Sequence, residues 1–298
     1  MNGVINVYKE QGVTSFHVVA QIRNIFKIKK AGHTGTLDPI AEGVLPVCLG
    51  YATKFADLLM AEDKQYIARF RLGAAFDTFD TTGTVLRTSS IRPDEFKIRY
   101  FLKNLTGEQK LTVPAFSAKK INGSRAYDLA RKGKLTDAGI APMKIYKIEL
   151  ISYDYPEGVF AIDCGKGTYV RSVIHELGEK LGSYAAMSGL IRSRNGVFHM
   201  KDANKLSEIK QIVEEGRERE LVISVQNLLN LPKAVIKHSA EAAIMHGISP
   251  NATDYALLPD TDNCGLCMLL TQDGNLIALG NIQKDLFIPV KLSKVFGI

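Results

Sequence analysis

The run from Gly32 to Lys54, GHTGTLDPIAEGVLPVCLGYATK, constrains this chain more than any other stretch. It gathers Gly32, Gly35, Gly43 and Gly50 with Pro39 and Pro46, residues that impose turns and allow close backbone approach. Ile40, Val44, Leu45, Val47 and Leu49 make it too apolar for a solvated linker. The expected form is an ordered, partly buried loop leading into a short strand. One acid stands in it, Asp38, directly before Pro39. An acid in a buried loop costs free energy unless something pairs with it, which makes Asp38 the first candidate for chemistry. Asp before Pro is also an ordinary turn start, and that reading stays open. The run has neither the G-x-x-x-x-G-K-[ST] spacing of a P-loop nor the G-x-G-x-x-G of a dinucleotide site.

Around this run the pattern alternates strands and helices. Gly3 to Tyr8 reads as a strand, and Thr14 or Ser15 caps a helix whose stripe is Val18, Val19, Ile22, Ile25 and Phe26. A short helix is expected over residues 52–60, a strand over Tyr66–Leu72, and a turn at Thr81-Thr82-Gly83 before a strand at 84–86. Pro93 is placed at the first position of a helix reaching Leu105. Residues 143–153 and 158–164 read as paired strands. Tyr169, Val170, Val173, Ile174 and Leu177 then give helical spacing, with Gly182 as C-cap. Arg171 lies at the start of that helix, where a cation does not favour the dipole, so a carboxylate partner is the better explanation. Residues 201–220 are highly charged and read as a surface helix. Beyond Leu231-Pro232 short strands take over, including a hairpin around Asp273-Gly274.

The formal net charge is +7 over 298 residues, which favours a polyanionic partner. The basic residues concentrate at Lys27, Lys29 and Lys30 and between Gly107 and Lys134. The second stretch mixes Lys110, Lys119, Lys120, Arg125, Arg131, Lys132 and Lys134 with Phe116 and Tyr127. Such a mixture suits a surface that follows a nucleic-acid backbone and stacks on bases, although a charged hairpin would look the same. No apolar run is long enough for a membrane span and Met1-Asn2-Gly3 begins no signal peptide, so a cytoplasmic protein is expected. Four cysteines do not make a disulfide framework. Cys264 and Cys267, with His238 and His246 upstream, fit no standard zinc spacing, and no metal is assigned.

The Gly32–Lys54 run closely resembles the catalytic motif of the TruB family, bacterial tRNA pseudouridine synthases acting on the T-arm loop. In that family the acid of the G-H-x-G-x-L-D-P run is the nucleophile, which falls on Asp38, and the histidine, His33, lines the pocket of the flipped base. GKGTYVRSVIHELGEKLG resembles the family's K-G-T-Y-[IV]-R motif, which places Tyr169 in the pocket and Arg171 beside the acid. Tyr66 matches the tyrosine that stacks on the base and accepts the proton from its carbon. Leu190, in Gly189-Leu190-Ile191-Arg192-Ser193-Arg194-Asn195-Gly196, matches a leucine that touches the base. The family usually has proline after Lys9, where this chain has Glu10, a mild departure that leaves the helix start intact.

The resemblance implies an α+β pseudouridine-synthase fold: a large mixed, mostly antiparallel sheet flanked by helices, and a small C-terminal β-rich PUA-like domain. It places the catalytic domain at 1–228, with an RNA-gripping insertion at about 107–134 in which Lys119, Lys120, Arg125, Arg131 and Lys132 would contact RNA, and the PUA-like domain at 229–298. The implied reaction converts a uridine of the T-arm loop (U55) to pseudouridine, after flipping it out of the folded RNA. Uridine and pseudouridine are isomers, so no cofactor is called for. Attack by Asp38 on the ribose or on the base both remain open. The implied partner is the T-arm stem-loop of tRNA, bound by a monomer with no obligate protein partner and no membrane. A non-catalytic RNA-binding or RNA-folding protein is the alternative, supported by the charge alone.

Overall fold

The structure, a computed structural model, describes residues 1–117, 120–121, 123–131, 138–259, 265–284 and 287–296. The chain divides into two compact units, Gly3–Leu221 and Val222–Ile298.

In the first unit the elements run β1 (Gly3–Lys9), α1 (Ser15–Ile25), β2 (Ala31–His33), β3 (Ala41–Leu49), α2 (Ala56–Met60), β4 (Lys64–Leu72), β5 (Ala74–Phe76) and β6 (Val85–Thr88). They continue with α3 (Glu95–Asn104), β7 (Gly107–Thr112), β8 (Lys120–Ile121), β9 (Ser124–Arg125), α4 (Ala126–Arg131), β10 (Ile140–Asp154) and β11 (Glu157–Cys164). The unit closes with α5 (Val170–Leu181), β12 (Ala185–Asn195), β13 (Phe198–His199) and α6 (Leu206–Glu214). The main sheet has the order β1-β3-β12-β4-β11-β10-β7, with β2 on β3 and β13 on β12. Its pairs are antiparallel except β3 with β12, where Leu190, Ile191 and Arg192 lie parallel to Ala41, Glu42 and Gly43.

The burial of each strand follows from its place. In β4 every second residue, Lys64, Tyr66, Ala68, Phe70 and Leu72, is buried, the period of a sheet with one face against the core. In β3 every residue but Glu42 is buried, as expected of a strand covered on both faces. α5 lies against β12, and α3 against β10 and α5.

Three details depart from the sequence reading. Gly43 and Pro46 do not turn the chain; both lie inside a nine-residue strand, β3. Gly43 is there for space, because a Cβ on it would stand 2.4 Å from the Arg192 carbonyl oxygen, and its φ is +103°. Pro93 is not the first helical residue. Asp94 is the N-cap, its carboxylate accepting from the Lys97 N–H at 2.8 Å, and the Pro93 carbonyl accepts from the Tyr153 hydroxyl. Residues 201–220 break into short pieces around α6, with Gly216 at φ +75° ending it and Ile209 buried beneath it.

The second unit is built on a five-stranded sheet. Its elements are α7 (Val225–Leu228), β14 (Lys233–Ile236), α8 (His238–Met245), β15 (Tyr255–Leu257), β16 (Leu266–Thr271), β17 (Leu276–Ile282) and β18 (Val290–Val295), ordered β15-β14-β16-β17-β18. The expected hairpin is β16–β17, paired antiparallel. Cys267 is fully buried in its core with Leu269, Ile277 and Ile244. Cys264 lies outside the described residues, and His238 bonds Glu241. Among the described residues, no helix is long and apolar enough to cross a membrane.

Candidate active site

The loop that carries Asp38 is held from three sides. Ser15 Oγ donates to the Leu37 carbonyl at 3.0 Å and accepts from the Leu37 N–H at 2.9 Å. The Gly12 N–H donates to the Pro39 carbonyl at 2.8 Å. Buried Thr34 donates its N–H to the Pro46 carbonyl and its hydroxyl accepts from Asn195 Nδ2. The Ala41 N–H reaches back to the Asp38 carbonyl at 3.0 Å, so Asp38 does begin a turn. That role uses its backbone and leaves the carboxylate free for another.

The carboxylate is taken by Arg171. Arg171 Nε lies 3.0 Å from Asp38 Oδ2 and Nη2 donates to Oδ1 at 3.2 Å, a two-point grip of the kind a guanidinium makes best. Arg171 is itself 6% exposed, yet its other donors are used: Nη1 donates to the Thr78 carbonyl at 3.0 Å and Nη2 to the Phe116 carbonyl at 2.9 Å. A second acid, Asp80, also buried, stands with Oδ2 3.7 Å from Arg171 Nη1. Asp80 Oδ1 is fixed by the Thr78 hydroxyl and by the hydroxyl and N–H of Thr82. One cation therefore serves two carboxylates.

A third of the Asp38 side chain remains exposed, which leaves the acid open to an incoming group. The protein around it still removes enough water to push its carboxyl above the usual range. Arg171 pulls the other way, Asp80 adds to the rise, and Lys9 opposes it. Lys9 is fully buried with its Nζ on the Glu10 and Val13 carbonyls, and burial brings it down to about 8.

Tyr66 is 7% exposed on β4, and burial holds its phenol above the ordinary range. Opposite it on β12 stands Arg192, its cross-strand partner, whose charge favours the ionised phenol. Arg192 is buried, with Nε on the Val44 carbonyl at 2.7 Å and Nη2 on the Gly35 carbonyl at 3.1 Å. Tyr169 caps α5 two residues before Arg171 and is half-buried. Leu190, 9% exposed, lies where β12 meets both Ala41 of β3 and Ala68 of β4. His33 ends β2, and its Nδ1 accepts from the Gly35 N–H at 3.3 Å. The fold thus brings Asp38 and Arg171 into contact and sets Tyr66 and Leu190 on strands beside them. Of the basic residues expected to grip RNA, Lys119 and Lys132 lie outside the described residues. Lys120, Arg125 and Arg131 fall in β8, β9 and α4.

Sequence reasoning missed Asp80, Arg192 and Lys9. The signal for Asp80 was present in Asp77-Thr78-Phe79-Asp80-Thr81-Thr82-Gly83, where hydroxyls flank an acid before a glycine. Gly83 lets the Asp77 and Thr78 side chains lie close to the backbone there, since a Cβ would stand 2.2 Å from Asp77 Oδ1.

Solved structures share this fold. A Cbf5-Nop10-Gar1 complex superposes with a TM-score of 0.74 at 31% identity, over 98% of this chain and 84% of the solved one. An H/ACA RNP bound to a substrate RNA containing 2′-deoxyuridine matches at 0.73 and 30%, over 99% and 85%. With its acid-bearing loop and paired arginine, the fold is that of a pseudouridine synthase. The model of the TruB family pseudouridylate synthase (N terminal domain) matches residues 23–170. The tRNA pseudouridine synthase B of Clostridium novyi (strain NT) is 38% identical over 281 residues, 94% of this chain and 95% of the relative. That of Clostridium tetani (strain Massachusetts / E88) is 38% identical over 295 residues, 98% and 99%. The chain belongs to the TruB family.

Proposed function

We propose that the protein isomerises a uridine in the T-arm loop of tRNA, U55, to pseudouridine, with Asp38 as nucleophile. The observation that carries this is the two-point grip of buried Arg171 on a carboxylate that keeps a third of its side chain open. A nucleophilic carboxylate must be ionised and aimed, and the guanidinium favours the charge while fixing the plane of both oxygens. The bond between the ribose carbon and the base nitrogen breaks, the base turns, and a base carbon takes the nitrogen's place. The proton on that carbon leaves to Tyr66, while the freed nitrogen gains one. A phenol accepts a proton only after giving up its own; burial raises that cost for Tyr66, and Arg192 opposite it works against the rise. His33, Tyr169 and Leu190 line the pocket of the extruded base.

The same reading makes 1–228 the catalytic domain and 229–298 a PUA-like RNA-binding domain. Lys119, Lys120, Arg125, Arg131 and Lys132 grip the RNA backbone from the insertion. The protein works in the cytoplasm as a monomer with no obligate protein partner. Its support is the naming of the relatives as tRNA-modifying enzymes and the +7 charge, which suits a polyanionic substrate.

The test is Asp38→Asn incubated with an unmodified tRNA transcript and no added cofactor, followed by mapping of pseudouridine. The expected result is no product, with RNA affinity within about threefold of wild type, since the change keeps the size and shape of the side chain. Product formed at the wild-type rate removes Asp38 from the reaction. A wild-type protein that binds the transcript without modifying it leaves the RNA-binding alternative.

A further inference from the structure

The connection between β5 and β6 supplies two of the groups that hold Arg171, the Thr78 carbonyl and the Asp80 carboxylate. Between them Phe79 sits at φ +63°, a left-handed conformation that a bulky residue adopts only at a cost. Its backbone is tied to β12: the Met187 N–H donates to the Phe79 carbonyl and the Thr81 N–H to the Met187 carbonyl, each at 3.0 Å. Its ring lies flat on the imidazole of His175, with centroids 3.9 Å and planes 4° apart. His175 is four residues after Arg171 on α5, one turn along the same helix face. The strained residue is therefore the one whose ring is stacked, and the stack joins the helix that carries Arg171 to the loop that holds it. Aromatic contact of this kind contributes beyond area burial and offsets part of the strain.

We propose that the Phe79–His175 stack is a positioning device for Arg171. It keeps the Thr78 carbonyl and the Asp80 carboxylate against the guanidinium, and through the guanidinium it sets the angle at which Asp38 faces the flipped base. The inference rests on the reading of Asp38 and Arg171 as the reacting pair. Because it works through the guanidinium, the stack acts on turnover and not on RNA affinity.

The experiment compares Phe79→Gly, His175→Ala and His175→Phe in steady-state turnover of an unmodified tRNA transcript, with RNA affinity and Tm measured alongside. Phe79→Gly removes the ring without leaving another side chain in the left-handed conformation, so a loss of turnover is not the result of added backbone strain. Phe79→Gly and His175→Ala are each expected to lower kcat about tenfold or more with KM and RNA Kd within about twofold, the pattern of a misplaced reacting group. His175→Phe, which keeps an aromatic face under Phe79, is expected to stay within about threefold of wild type. Wild-type kcat in Phe79→Gly or in His175→Ala overturns the inference, as does a His175→Phe variant as slow as His175→Ala. Should Phe79→Gly fail to fold, the two His175 variants decide. Asp38→Asn is run in parallel: product there strikes at the reacting pair itself, whereas an inactive Asp38→Asn beside a fully active Phe79→Gly strikes only at the stack.

Discussion

Arg171 meets Asp38 edge to edge, Nε 3.0 Å from Oδ2 and Nη2 3.2 Å from Oδ1, and the same guanidinium reaches three further acceptors. A lysine ammonium carries the charge and lacks the fork. Arg171→Lys is therefore expected to lower kcat by about 100-fold or more while RNA binding changes little, because the lost contacts face the acid and the protein interior. Single-turnover kinetics with a separate binding assay checks both halves. A variant within a few-fold of wild type in kcat shows that charge alone suffices.

Asp80 offers a gentler probe. Asp80→Asn keeps an oxygen for the Thr78 and Thr82 donors and removes the negative charge near Arg171 Nη1. Turnover is expected to fall about tenfold with the fold intact, as the guanidinium loses one of its two carboxylate partners. Circular dichroism and kcat measured together separate the two effects, and unchanged turnover makes Asp80 purely structural.

The acid limb of the pH profile follows from the site's electrostatics. Loss of water around Asp38 disfavours its charged form, and the guanidinium of Arg171 restores part of that charge. The carboxyl titrates above the ordinary aspartate value of about 3.9, so activity falls as pH drops through a midpoint higher than that. Arg171→Met, by removing a cation that favours the carboxylate, is expected to move the carboxyl further up. Carbon-13 NMR of the labelled aspartate reads this without needing turnover. A downward move contradicts the assigned role of the guanidinium.

Gly43 tests the seam between β3 and β12. A methyl group there meets the Arg192 backbone at 2.4–3.0 Å in a conformation with φ +103°. Gly43→Ala is expected to destabilise the protein by about 3 kcal/mol or more, lowering Tm by roughly 6–12 °C for a domain of this size. A thermal melt within a degree or two of wild type shows that the strands can separate locally without loss.

The parts legible in the sequence were those with local signatures. The α1 cap at Thr14, the β10–β11 and β16–β17 pairings and the Gly182 C-cap, at φ +65°, all follow from a few neighbouring residues. Arg171 announced its carboxylate by standing where a helix start does not welcome a cation. What stayed hidden depends on distant contacts. Lys9 and Arg192 drew no role, because nothing local reveals that backbone carbonyls will satisfy them inside. Asp77 and Asp80 are alike on paper, and only the fold turns one of them toward Arg171. Gly43 and Pro46 read as breakers, because their value lies in the strand that arrives beside them.

Asp38 and Arg171 are 133 positions apart in the chain, and Arg192, which braces Gly35 and Val44, lies further still toward the C-terminus. A nascent polypeptide emerging from the ribosome exposes the acid long before its counter-ion exists. Until α5 and β12 have been synthesised and have docked, that carboxylate sits in a glycine-rich segment with neither the Arg192 brace nor the Arg171 guanidinium, and closing so long a loop is slow. Competence thus arrives in a single late step, and a molecule truncated before α5 is born without it.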